Sequence, residues 1–143
     1  MAINQRIKMA TNQNLIDLAL GKLGVIEAGA SANATDSATT LGVLNRMMHV
    51  WSVRSMDFNF FTQDTLTDTA PVPKWAERGV IANLAFEASS DFRVPVSGEL
   101  VREATEGRRT IGNTLINGSL EGMDMSHLPR STRRSGWDIS SDS

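Results

Sequence analysis

Apolar side chains recur at spacings of three and four over residues 13–117, and this recurrence stops at residue 119. A period near 3.6 residues is that of an amphipathic α-helix with one buried face. Prolines and glycines divide the pattern into about four segments. We therefore expect an all-α fold, a small bundle of about four helices with a long loop and an extended C-terminal arm.

Two helices are predicted in the first half of the chain. The first spans residues 13–23, and Gly24 suits a left-handed C-cap. Its candidate N-caps are Thr11, Asn12 and Asn14. A polar loop of about a dozen residues follows. The second helix begins at Asp36 or Ser37, either of which can cap it, and continues to about residue 55.

Prolines precede the other two helices. Pro73 suits the first turn of a helix that reaches about residue 90, because its missing N–H is not needed there. Ser97 is the predicted N-cap of the fourth helix, with Glu99 in its first turn and Gly118 at its end. The predicted inner face of the fourth helix comprises Leu100, Val101, Ala104, Ile111 and Leu115.

Two glycines lie inside the predicted fourth helix, Gly107 and Gly112. Each costs about 1 kcal/mol relative to alanine in a helix interior. Their presence indicates either close packing against another backbone or a bend.

Residues 56–73 combine three phenylalanines with several threonines, which predicts a short extended segment or hairpin. Phe58, Phe60 and Phe61 can serve either as plugs of the core or as contacts to a neighbouring subunit. Both interpretations follow equally well from the sequence.

The composition argues against several classes of protein. The 14 basic and 16 acidic residues give a net charge of −2, which disfavours a protein whose main task is to bind phosphates. No cysteine is present, so disulfides and thiolate metal sites are excluded. The first residues lack the apolar run of a signal peptide, and no stretch approaches the roughly 20 apolar residues of a membrane span.

Catalytic chemistry has little support in the residue inventory. His49 and His127 are the two histidines, neither lies in a metal-binding or catalytic motif, and no cofactor is expected. Glu99, Glu103 and Glu106 could in principle supply the two carboxylates of a glycosidase, and the alternative function is a peptidoglycan-degrading enzyme that uses Glu99 or Glu103 as its acid. Charges at helical spacing are more often solvated, so an enzyme is not the favoured prediction.

The segment 119–143 has no sustained apolar period and cannot form a core of its own. It nevertheless contains tryptophan and arginine, the residue types most enriched in interface hot spots. We therefore divide the chain into an N-terminal extension (1–12), a helical domain (13–118) and an arm (119–143). The candidate binding residues of the arm are Leu128, Arg130, Arg133, Arg134, Trp137 and Ile139.

Three stretches occur in order: NLIDLALGKLGVI at residues 14–26, LGVLNRMMHVW at 41–51 and NLAFEASSDFRVPVS at 83–97. Together they resemble the tail accessory factors of short-tailed phages, the helical head-to-tail adaptors that attach beneath the portal protein. The resemblance covers most of the predicted helical domain and depends on the order of the three stretches.

The resemblance implies a non-enzymatic virion protein, made in the host cytoplasm, that forms a dodecameric ring with one copy per portal subunit. The arm residues would bind the portal, and the other face would receive the tail nozzle or another tail protein. Double-stranded DNA would pass through the lumen without sequence recognition, which agrees with the balanced charge. No membrane partner is expected.

Overall fold

The computed structural model describes residues 9–121, with side chains as far as residue 118. Within this range the chain forms four α-helices and no strand. The helices are α1 (Asn12–Leu23), α2 (Ala34–Val53), α3 (Lys74–Phe92) and α4 (Gly98–Glu121). The predicted all-α bundle of about four helices is confirmed.

Three predicted helix ends are confirmed by their capping geometry. Thr11 accepts a hydrogen bond from the backbone N–H of Asn14 at 3.2 Å, which caps α1. Gly24 ends α1 in the left-handed region, at φ 77°. The Ser97 hydroxyl accepts from the Leu100 N–H at 3.2 Å at the start of α4.

Helix α2 begins earlier than predicted, because Asn33 is its cap. The Asn33 side-chain oxygen accepts from the Asp36 N–H at 2.8 Å, and its amide donates to the Asp36 carboxylate at 2.9 Å. Asp36 therefore lies in the first turn, and the preceding loop covers residues 24–33. Helix α3 likewise places Pro73 at the N-cap rather than in the first turn.

Helix α4 continues through Gly118 to Glu121, so the prediction that it ends at Gly118 is wrong. One glycine costs a helix only about 1 kcal/mol, too little to end it. The predicted arm thus begins inside the helix. The inner face also needs one correction, since Val101 is 41% exposed.

Helix α3 lies at the centre of the bundle and packs against all three other helices. Seven consecutive residues, 79–85, are buried, so this helix presents no solvent-facing stripe there. Glycine and alanine fill many of these positions, which lets the neighbouring helices approach closely.

The closest approach is between α3 and α4, at Gly79 and Gly107. A Cβ atom on Gly107 would lie 2.6 Å from the Gly79 Cα, a separation that real Cβ atoms essentially never show. Gly107 therefore confirms the predicted close backbone packing. A Cβ on Gly112 would meet only the Met56 side chain, with its sulfur at 3.7 Å, so no close backbone approach occurs there.

Asn83 bonds the two helices beside this crossing. Its side-chain amide donates to the Gly79 carbonyl on α3 and to the Ala104 carbonyl on α4, each at 2.8 Å. The side chain is buried, with 7% of the residue's surface exposed. Both amide protons thus have a partner, as a buried polar group requires.

These contacts also fix the register of α3 and α4. Gly79 lies opposite Gly107, and Asn83 opposite Ala104, so the two helices are antiparallel. By this register Lys74, the first residue of α3, is level with about residue 112. Residues 113–121 therefore extend beyond α3, by about 13 Å at 1.5 Å per residue.

Residues 54–73 form no hairpin, contrary to one interpretation of the sequence. The segment instead runs over α1 and α2 and is bonded to both. Asn45 on α2 donates to the Gln63 carbonyl and accepts from the Gln63 N–H, both at 2.9 Å. The Asn12 amide donates to the Gln63 side chain at 3.0 Å, and an isolated bridge joins Thr11 to Thr69.

Candidate functional site

The three phenylalanines proposed for inter-subunit contact have different environments. Phe58 and Phe60 are half-buried and pack against the core. The Phe58 ring also meets the Trp75 ring edge-on, with centroids 6.5 Å apart and planes at 73°. Phe61 is 65% exposed. A contact to a neighbouring subunit stays a prediction, and Phe61 presents the largest free apolar surface of the three for it.

Further exposed apolar side chains were not singled out from the sequence. Leu18 on α1 is 55% exposed, Val53 at the end of α2 is 76% exposed, and Ile116 on α4 is 56% exposed. Each lies off the buried stripe of its helix, which is the signal that could have identified them. Single exposed apolar residues are common, but here they occur on three different helices.

A polar groove of about 450 Å³ lies between α2, α3 and α4. Its apolar lining comes mainly from α2, with Val43, Met47, Val50 and Trp51, while Arg108 lines it from α4. Arg46 and Asp91 pair across it at 3.6 Å, with the Arg46 side chain 74% and the Asp91 side chain 39% exposed. Such a solvent-exposed pair contributes little to stability.

The two glutamates of the alternative enzymatic function lie on the solvent-facing side of α4. Glu99 is exposed, and the Glu103 carboxylate pairs with the Lys22 ammonium of α1 at 2.8 Å. The hydrogen bond from Lys22 lowers the pKa of Glu103 below its usual value. A general acid of a glycosidase needs the opposite shift.

Replacing Glu103 with glutamine is expected to lower the free energy of unfolding slightly at pH 7, by about 0.5 kcal/mol, since the pair is partly solvated. Because the folded-state pKa of Glu103 is lowered, the ion pair stabilises the protein fully above the unfolded-state value. This contribution is lost as the pH falls through the folded-state pKa. Urea unfolding of wild type and variant at pH 7 and pH 3 measures the difference.

The matched control for this prediction is Glu99→Gln, on the same helix and without an ion pair within residues 9–118. It should change the stability less than Glu103→Gln at pH 7. An equal loss for Glu103→Gln at pH 3 and pH 7 contradicts the prediction.

The remaining candidate residues fall into two groups. His49 is exposed on α2. His127 and all six arm residues lie outside the described residues, so their binding role stays a prediction. The arm residues are Leu128, Arg130, Arg133, Arg134, Trp137 and Ile139. Among residues 9–121, no group of three or more histidine or acidic side chains is placed to bind a metal ion.

No helix in the described part of the chain is long and apolar enough to cross a bilayer. No protein-family model matches the sequence, and no curated protein matches it significantly. Over residues 9–121, the fold and these surfaces define the class of the molecule: a small all-α protein whose α4 continues past the start of α3 and whose exposed apolar side chains lie on several elements.

Proposed function

We propose that this protein is a structural head-to-tail adaptor of a tailed phage, located in the virion. It would bind the portal protein, help to close the DNA-filled head and provide the platform on which the tail attaches. The observation that carries the proposal is the C-terminal end of α4, residues 113–121, which continues past the start of α3.

The C-terminal end of α4 lies between the bundle and the segment that would bind the portal. The bundle is held together by α3, while the last nine residues of α4 lie beyond the end of that helix. Leu115 still packs against the core, whereas residues 116–118 are exposed and can contact a partner without competing with the core packing. Within residues 122–143, Trp137 and the three arginines are suited to an interface with acidic side chains.

The distribution of exposed apolar side chains supports assembly into a ring. A cyclic ring needs two different lateral surfaces on each subunit, because each copy contacts its two neighbours through different patches. Leu18 on α1, Val53 on α2 and Phe61 in the segment 54–73 are exposed on separate elements. Each of these contacts would be small. When several copies bind neighbouring portal subunits, their high local concentration would strengthen the lateral contacts between them.

The charge of the chain fits a lumen that conducts DNA. Basic and acidic residues nearly balance, with a net charge of −2. Affinity for duplex DNA rises steeply with the number of phosphates that a protein neutralises. A channel that released its DNA slowly would impede ejection, so a weakly charged ring is suited to the task.

The decisive experiment is a pull-down with the portal protein encoded in the same genome. We compare the full chain with a chain truncated after Glu121, which keeps the whole of α4, and with the full-length double variant Trp137→Ala and Ile139→Ala. Both changes should abolish or strongly weaken portal binding. The control is Ser140→Ala, which alters the same segment without removing an apolar anchor and should bind as the wild type does.

Three results would contradict different parts of the proposal. Unchanged portal binding by the truncated chain would contradict the proposal that residues 122–143 bind the portal. A full chain that binds no portal protein, or a genome without one, would remove the adaptor function itself. Stable rings of the isolated protein at low concentration, measured by mass, would show that the portal does not template assembly.

A further inference from the structure

An apolar groove lies between α1, α3 and the loop 24–33; we call it the α1–α3 groove. Its volume is about 570 Å³, within the range of about 300–1,000 Å³ that is typical of binding pockets. Its apolar lining consists of Leu18, Gly21, Ala28, Gly29 and Ile81. A Cβ atom built on Gly21 or Gly29 would meet no atom of another part of the chain within 4 Å. The groove therefore has room for a side chain from a partner.

The charges around the groove favour an acidic partner. Three basic and two acidic residues line it: Lys22, Lys74, Arg78, Asp17 and Glu77. Both carboxylates already accept hydrogen bonds from backbone N–H groups of this chain, at 2.9 and 3.3 Å. Lys74 and Arg78, in contrast, are exposed and form no ion pair within residues 9–118. A partner with an apolar side chain and negative charge beside it would match this lining.

A surface of this kind lies in the segment 54–73, around Phe61. The Phe61 side chain is 65% exposed, yet its backbone is held in place. Its carbonyl accepts from the Gln63 side chain at 2.8 Å, and Gln63 is bonded in turn to Asn45 of α2. Residues 55–73 contain no lysine or arginine and three exposed aspartates, Asp57, Asp64 and Asp68. Phe61 is thus an aromatic side chain on an anchored acidic segment, and such preorganisation lowers the entropic cost of binding.

We propose that Phe61 of one copy inserts into the α1–α3 groove of a neighbouring copy, with the acidic segment against Lys74 and Arg78. The same copy cannot supply this contact. No residue of the segment 54–73 lines the groove, and hydrogen bonds to Asn12 and Asn45 hold the segment in place. Insertion would cover both Phe61 and Leu18, which are 65% and 55% exposed. Large aromatic side chains contribute much of the energy of protein interfaces.

The two surfaces are different patches of the same molecule, so the contact is head-to-tail. Each copy would offer Phe61 to one neighbour and its groove to the other. Contacts of this type close into a ring when the rotation between copies allows it. The inference rests on the ring assembly of the proposed function, and it names the two lateral surfaces that would meet.

The absence of cysteine in the chain permits a direct test by cross-linking. Two full-length single-cysteine proteins are mixed at high concentration with a short bifunctional thiol reagent: Thr62→Cys, beside Phe61, and Ala28→Cys, in the groove. The mixed 62–28 product is expected to form roughly tenfold faster than the product of Thr62→Cys with Thr105→Cys, a ratio that corresponds to about 1.4 kcal/mol. Thr105 is exposed on α4 and does not line the groove.

Variants on each side locate the contact. Phe61→Ala in the Thr62→Cys protein should lower the rate of the 62–28 product roughly tenfold, because it removes the aromatic side chain. The matched control is Val53→Ala, which shortens an apolar side chain that is 76% exposed on α2 and should leave the rate unchanged.

On the groove side, Gly21→Leu in the Ala28→Cys protein should fill the open space and lower the rate by a similar factor. Leucine is a better helix former than glycine, so this variant should unfold at a higher urea concentration than its parent. A lower cross-linking rate in a more stable protein cannot result from loss of the fold.

A 62–28 product that forms no faster than the 62–105 product would overturn the proposal. Rates that Phe61→Ala or Gly21→Leu leaves unchanged would also overturn it, as would an equal loss for Val53→Ala, which would indicate non-specific association. The test uses no portal protein, so the two proposals fail separately. A chain that binds the portal without this cross-link would keep the adaptor function, and a chain with the cross-link that binds no portal would keep the contact between copies.

Discussion

Replacing Gly107 with alanine is expected to lower the free energy of unfolding by about 3 kcal/mol. The added methyl group would lie 2.6 Å from the Gly79 Cα, and the surrounding backbone leaves it no room. Helices α3 and α4 would have to separate, which would also lengthen the hydrogen bond from Asn83 to the Ala104 carbonyl, now 2.8 Å. Urea unfolding followed by circular dichroism measures the loss as a lower midpoint with an unchanged slope.

The same helix contains the matched control. Gly112→Ala makes the same chemical change five residues later, where the new methyl group would meet the Met56 sulfur at an ordinary 3.7 Å. Alanine is the better helix former, so this variant should be more stable than the wild type by about 0.5–1 kcal/mol. Changes of the same sign at both positions would contradict the proposed backbone contact.

The second large effect is expected for Asn83→Asp. The wild-type amide donates both its protons to carbonyl groups, whereas an ionised carboxylate can donate none and would face two carbonyl oxygens. The side chain is buried, so the charge is also removed from water. We expect a loss of about 3–5 kcal/mol at pH 7, again measured by urea unfolding.

The pH dependence of this variant tests the cause of the loss. The new carboxyl group should have a folded-state pKa raised above its unfolded value of about 3.9. The penalty is then smallest below about pH 4, where both states are protonated, and grows as the pH rises toward the folded-state pKa. Asn83→Leu, which has no titrating group, should lose only about 1–3 kcal/mol at every pH. A pH-independent difference between wild type and Asn83→Asp would contradict this explanation.

Local sequence signals predicted the helices well. Thr11, Gly24 and Ser97 act within one turn of the helix that they begin or end, so their side-chain chemistry is sufficient to place those ends. Of the two interpretations offered for Gly107, close backbone packing is confirmed and offsets the cost of a glycine inside a helix. At the three helix ends the cause lies within a few residues of the signal, whereas the partner of Gly107 is Gly79 on the preceding helix.

Features that depend on distant contacts could not be predicted in this way. Asn12, Asn45 and Gln63 meet although 51 residues separate the first from the last, and nothing in their local sequence pairs them. Those bonds keep residues 54–73 against the bundle and thereby bury part of Phe58. Val101 was assigned to the inner face of α4 because it belongs to the apolar residues at helical spacing. Helix α4 packs chiefly on α3, however, and this packing leaves Val101 41% exposed.

The projecting end of α4 also determines a direction. Each residue of an α-helix turns the chain by about 100° and advances it by about 1.5 Å. Inserting one residue among positions 116–118, after the last residue that packs against the core, would therefore move the end of the helix only slightly but rotate it by more than a quarter of a turn. Inserting seven residues would restore the orientation almost fully while adding about 10 Å. The length of this one helix thus controls two quantities for the residues that follow Glu121. A one-residue insertion changes mainly their orientation, and a seven-residue insertion changes mainly their distance.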